Sequence, residues 1–214
     1  MGPVEQAAAR SSILTSAFAV ESAANSCLAR GVKLPKRIAG RVDQFTPLEK
    51  YELFMHLAHG VSLSRGRRDV QSIEEILKLR NRAVHPRPVD RETRILQQEG
   101  RSGRLIHPDF GPKTQILQTY ESGDQWRPRD AGSVLKAVVR FLDQVLLTDC
   151  GLNAQQAAEL LVGRLRDEHG GDVVVISDLW EVAFYLRKYW ATRAKIFSVV
   201  YPEQEARGAY QPGE

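Results

Sequence analysis

Apolar residues recur every three to four positions along most of the chain and divide it into helix-length runs. Residues 4–29 read as a long first helix whose stripe is Leu14, Phe18, Glu21, Asn25 and Leu28, ended by Gly31. Two polar residues one turn apart, Glu21 and Asn25, interrupt that otherwise apolar seam. They read either as a seam edge open to water, with Asn25 setting register, or as the lining of a polar pocket paired with a base from another helix. A short connection with a turn at Leu34-Pro35 leads to a second helix through His59, with Thr46 as N-cap, Pro47 at the first position and Glu49 at the third. Leu48, Tyr51, Phe54, Met55 and Leu57 or Ala58 form its core face.

The next run, 72–88, has the sequence SIEEILKLRNRAVHPRP. Ser72 and Glu75 match a capping box, and Ile73, Ile76, Leu77, Ala83 and Val84 form the stripe. Arg80 falls on the same stripe. A guanidinium cannot lose its proton, so burying one requires an anion to meet it, and Glu21 is the obvious partner. His85 precedes a proline, which disfavours helical dihedrals, so the helix ends there with an Arg, an amide and an imidazole in its last turns.

Prolines and glycines exclude a long helix from 88 to 130, where 104–107 and 114–120 are expected to pair as a small hairpin. This insert reads as a lid or a docking surface. Asp130 then caps a helix to about Thr148, with Val134, Leu135, Val138, Phe141, Leu142 and Val145 on one face. Asn153 caps another, with Ala157, Leu160, Leu161 and Leu165 inward, ending at Gly170-Gly171. A short run at 173–176 precedes a last helix over 178–201, and residues 203–214 are expected to be a disordered tail. The fold class is therefore all-α: an up-and-down bundle over 1–150 with an irregular or small β-hairpin insert, and a helical C-terminal extension over 151–202.

Composition adds little except in one place. At 43% hydrophobic and 26% charged the 214-residue chain is ordinary globular material, without the run of ~20 apolar residues that crosses a bilayer. MGPVEQAAAR lacks the pattern of a signal peptide, and two cysteines form neither a disulfide framework nor a metal cluster, so a cytoplasmic protein is expected. His56 and His59 have no third ligand at a recognisable offset, and no metal or cofactor is expected. The charge is uneven. Residues 61–104 hold eleven Lys and Arg against six Asp and Glu, an excess of five in a chain whose net charge is +4. Either these arginines solvate a loop, or Arg65, Arg67, Arg68, Arg82 and Arg87 form a footprint for a polyanion such as RNA.

The pattern Arg80-Asn81-x-x-x-His85, in the context KLRNRAVHP, resembles the signature of the HEPN superfamily. Spacing alone is weak support, because Arg101 with His107 and Arg164 with His169 match it too. The first of these lies in a loop rich in glycine and proline, and the second has Leu165 where the family has a polar residue. Glu21 and Asn25 in AFAVESAAN occupy the place where the family's long first helix carries an acid. The resemblance covers residues 4–90, with 130–148 as the next bundle helix.

The resemblance implies a metal-independent endoribonuclease acting as a homodimer, its two motifs meeting at the interface, of a kind often found as a toxin or antiphage component, with a cognate antitoxin or a regulatory protein as a further partner. His85 would move protons, Arg80 would hold the phosphate, Asn81 would orient His85 or donate to the phosphate, and Glu21 and Asn25 would support Arg80. Cleavage by the RNA's own 2′-hydroxyl would leave a 2′,3′-cyclic phosphate. Two other outcomes stay open: a non-catalytic HEPN-like module binding RNA, a nucleotide or a protein, and a bundle in which Arg80–Glu21 is only a structural ion pair.

Overall fold

In a computed structural model of the chain, the described residues are 2–86 and 111–162, with four strand segments, Arg94–Gln97, Arg104–His107, Leu165–Arg166 and Asp172–Val173. The expected last helix over 178–201, the tail over 203–214 and Arg87 lie outside them. The described part is a helical bundle. Its helices are α1 (Pro3–Gly31), α2 (Lys36–Val42), α3 (Pro47–His59), α4 (Arg68–Val84), α5 (Pro128–Leu142) and α6 (Ala154–Val162). Helix α1 is the axis, packing against α3, α5, α4 and α6.

The seam of α1 is one residue away from the expected stripe. Its buried row is Ile13, Ala17, Val20, Ala24 and Cys27, whereas Leu14 is half-buried and Phe18 is 49% exposed. Both rows share the 4, 3, 4, 3 spacing, and at 3.6 residues per turn one step rotates the face by about 100°. Small residues decide it. Ala17 and Ala24 let neighbouring helices approach, and the large partners Tyr51, Phe54 and Phe141 fill the space. Gly31 is still helical, and a Cβ there would lie 2.4 Å from the Phe54 ring, so α3 packs where only glycine fits.

Helix α3 follows its sequence signals. Thr46 Oγ1 accepts the Glu49 N–H at 3.4 Å, Glu49 Oε2 accepts the Thr46 N–H at 2.7 Å, and Gly60 ends the helix at φ 67°. The hydroxyl and backbone N–H of Thr46 hold the Glu49 carboxyl below its usual range. Leu48, Tyr51, Phe54 and Met55 are buried, but Leu57 and Ala58 are exposed.

Helix α4 begins four residues before the expected cap. Ser72 lies inside it and donates its hydroxyl to the Arg68 carbonyl at 2.9 Å. Glu75 is therefore not part of a capping box. Its carboxylate accepts the backbone N–H groups of Ile116 and Leu117 at 2.8 and 2.9 Å. Val70, Ile73, Ile76 and Leu79 form the fully buried face, with Leu77 and Ala83 at its margin and Val84 exposed.

The segment 111–127 is a structured strap rather than a free lid. Trp126 is fully buried and donates its indole N–H to the Tyr120 carbonyl at 2.7 Å. Thr114 and Thr119 exchange backbone and side-chain bonds across a turn. Residues 114–120 thus fold on themselves, and it is Arg94–Gln97 that pairs antiparallel with Arg104–His107. Helix α5 starts at Pro128, two residues before the expected cap, with Arg127 as N-cap and Asp130 accepting its N–H at 2.9 Å. It continues into the π-helical turns of Asp143–Asp149. Asn153 and Gln156 cap α6 reciprocally at 2.9 Å. That helix ends by Val162, because Leu165–Arg166 pairs with Asp172–Val173 as short strands.

Candidate functional site

Arg80 belongs to the inward face of α4, four residues after Ile76 and seven after Ile73. Its guanidinium reaches the Phe18–Glu21 row of α1. Nη2 donates to Glu21 Oε2 at 2.7 Å, and the guanidinium carbon stands 5.4 Å from the centre of the Phe18 ring. The Arg80 side chain is 19% exposed and that of Glu21 is 36% exposed, so the pair lies at the margin of the core. Arg80 Nε is buried without a hydrogen-bond partner. The guanidinium is held from one edge and retains donor capacity for an anion.

Asn81 and His85 are exposed on the last turns of α4. His85 occupies the C-cap position at φ −120° and ψ 68°, donating its N–H to the Asn81 carbonyl at 2.9 Å. The link between them is thus made by the backbone. Pro86 follows, and the imidazole stands at the negative end of the helix.

Asn25 does not meet Arg80. Its Oδ1 accepts from Lys50 Nζ at 2.7 Å, an α3 cation whose residue is only 4% exposed. Each polar residue of the α1 row is therefore met by a base from a different helix, and sequence reading anticipated only the first. Lys50 was concealed because it lies just after the α3 cap, among charged residues that read as surface.

The strap is held to α4 at two points seven residues apart, by Glu75 at the Ile116 and Leu117 amides and by an Arg82–Glu121 ion pair. The other arginines of the expected footprint divide. Arg65 pairs with Glu52 at 2.7 Å and approaches Glu74 at 4.0 Å. Arg67 grips Asp69 through two bonds of 2.6 and 2.9 Å, and this grip, joined by a bond to Asp149, makes its guanidinium harder to deprotonate and ties the start of α4 to the end of the π-helical turns. Gln144 donates to the same Asp149 at 3.0 Å. Arg68 is exposed. Arg65, Arg67 and Arg82 thus spend charge within the protein.

Both cysteines are held as thiols. Burial, and then the neighbouring Cys150, push Cys27 up to about 12; burial and then Asp149 push Cys150 up to about 11. Among the described residues no cluster of three or more His, Cys, Asp or Glu is placed to hold a metal ion, and no helix is long and apolar enough to cross a membrane. No family model matches the chain, and no curated protein or solved structure matches it either.

Proposed function

We propose that the chain is a HEPN-type endoribonuclease that cleaves RNA without a metal ion, as a homodimer. The observation that carries this reading is the Arg80–Glu21 pair at the core margin, with Asn81 and His85 exposed on the next turn and a half of the same helix. RNA brings its own nucleophile, so acid–base help and charge stabilisation suffice. An imidazole takes the proton of the 2′-hydroxyl as its oxygen attacks the adjacent phosphorus. Arg80 donates to the phosphate oxygens while five oxygens surround phosphorus. The bond to the 5′-oxygen breaks, and an imidazolium protonates that leaving oxygen. The products are a 2′,3′-cyclic phosphate and a 5′-hydroxyl. One chain contributes one His85, and a two-fold partner supplies the second, so acid and base are separate groups.

A second reading is favoured by the arginines already paired with carboxylates. With Arg65, Arg67 and Arg82 engaged, less charge is left for a long polyanion, which suits a non-catalytic module that binds a nucleotide or a protein. Incubation with single-stranded RNA in EDTA separates the two. The ribonuclease reading expects cyclic-phosphate ends with wild type, and loss of at least a hundredfold in rate for His85→Ala and for Arg80→Ala. Intact RNA with the wild type, or undiminished cleavage by both variants, sinks it. Growth arrest on expression that His85→Ala relieves would support a toxin or antiphage role.

A further inference from the structure

Lys50 is a buried cation that meets no carboxylate among the described residues. Its residue is 4% exposed, its Nζ donates to the neutral Oδ1 of Asn25 at 2.7 Å, and among the described residues it forms no ion pair. An ammonium drawn into a protein and matched only by an amide remains short of negative charge, and two of its three protons are left for another acceptor. Its stem is covered while its head ends at Asn25, an exposed residue. Asn25 follows Glu21 by four residues, about 6 Å along the axis of α1, so the groups that hold the Lys50 ammonium and the Arg80 guanidinium are neighbours on that helix. Among the described residues two cations, Lys50 and Arg80, and one carboxylate, Glu21, therefore meet on this row, and the imbalance favours an anion at its Asn25 end.

We infer that Lys50, presented by Asn25, is a second phosphate subsite for a single-stranded RNA, holding the phosphate next to the one at Arg80. This rests on the ribonuclease reading and extends it. Successive phosphates of a single strand are separated by a distance comparable to one helical turn, and a strand laid along the α1 row meets Phe18, Arg80 and Lys50 in order. The Phe18 ring, 49% exposed beneath the guanidinium, offers a surface on which a base can stack.

The test measures binding of a single-stranded RNA oligonucleotide by the full chain carrying His85→Ala, at several salt concentrations, with Lys50→Met and Lys50→Arg added in turn. Lys50→Met keeps the stem and removes the charge. The subsite expects about tenfold weaker binding and a salt slope shallower by about 0.7, the increment of one phosphate contact on a single strand. Lys50→Arg, which keeps the charge, is expected to retain most of both. Asn25→Ala, at an exposed position, tests the same head without opening the core and is expected to weaken binding severalfold. Unchanged affinity and slope in Lys50→Met, with RNA still bound by the parent, overturns the subsite and leaves the ribonuclease reading standing. A parent that binds no RNA overturns both. A Lys50→Met variant that loses its far-ultraviolet helix signal transfers the decision to Asn25→Ala, whose unchanged affinity and slope overturn the subsite.

Discussion

Replacing Glu75 gives a direct measure of what holds the strap to the bundle. The carboxylate accepts two adjacent backbone N–H groups at 2.8 and 2.9 Å, bridging 41 and 42 positions of sequence. A hydrogen bond to a charged acceptor contributes about 1.5–3 kcal/mol, and the partial burial of this one sets each bond near the lower end. Glu75→Ala strands both amides and is expected to cost about 2–3 kcal/mol. Glu75→Gln keeps one carbonyl oxygen but turns its amide against the second N–H, so about half to two-thirds of that cost should remain. Urea unfolding reads the global effect as a lower midpoint at constant slope. Hydrogen exchange at Ile116 and Leu117 reads the local one, since both amides lose their acceptor in the alanine variant. A Glu75→Ala protein within about 0.5 kcal/mol of wild type, with both amides exchanging as before, would refute the argument that this carboxylate anchors the strap.

Glu21→Ala should destabilise more than Arg80→Gln, because it leaves the more buried partner charged; a double-mutant cycle with urea melts should give a coupling of about 1 kcal/mol, between the values of exposed and fully buried pairs. Stability should be full below pH 9 and decline above it. Between the ordinary 9.0 of a thiol and about 12 the unfolded chain releases a proton that folded Cys27 keeps, which removes up to about 1.4 kcal/mol per pH unit. Cys27→Ala should flatten that decline in melts taken from pH 8 to 11, and an unaltered slope would count against the assignment. Trp126→Ala should cost about 3–5 kcal/mol by opening a cavity and leaving the Tyr120 carbonyl without its indole donor, whereas a near-neutral melt would show that the strap is not part of the core.

The all-α class was legible because helical periodicity survives wherever the core is one layer deep, and Thr46, Pro47 and Asn153 mark helix starts by local chemistry alone. The Arg80–Glu21 pair was legible for a different reason: a permanent charge on a buried face demands a counter-ion, and few acids stand on the opposing helix. Other features escaped, and three show why. The seam of α1 was placed one residue late, because Leu14 and Phe18 outweigh Ala17 and Ala24 in hydrophobicity although the small residues permit the closer approach. The role of Glu75 was misread, since the S-x-x-E pattern was satisfied locally while the true partners lie in the strap. Arg65, Arg67 and Arg82 look like a free basic patch in the sequence because Glu52, Asp149 and Glu121 reach them from other elements, while the neighbouring Asp69 that grips Arg67 does not announce its pairing.

The one-residue offset on α1 separates two duties along the same helix. Ile13, Ala17, Val20, Ala24 and Cys27 hold the bundle together, while Phe18, Glu21 and Asn25 stand beside them with side chains reaching other groups. Substitution in the second row spares the apolar seam, although a change at 21 gives up the Arg80–Glu21 pair, so the chemistry presented by α1 can drift while the core stays in place. A lineage carrying this helix can trade one ligand or reaction for another without repacking its core, and a library randomised at 18, 21 and 25 would sample such alternatives, with position 21 bearing the largest cost in stability.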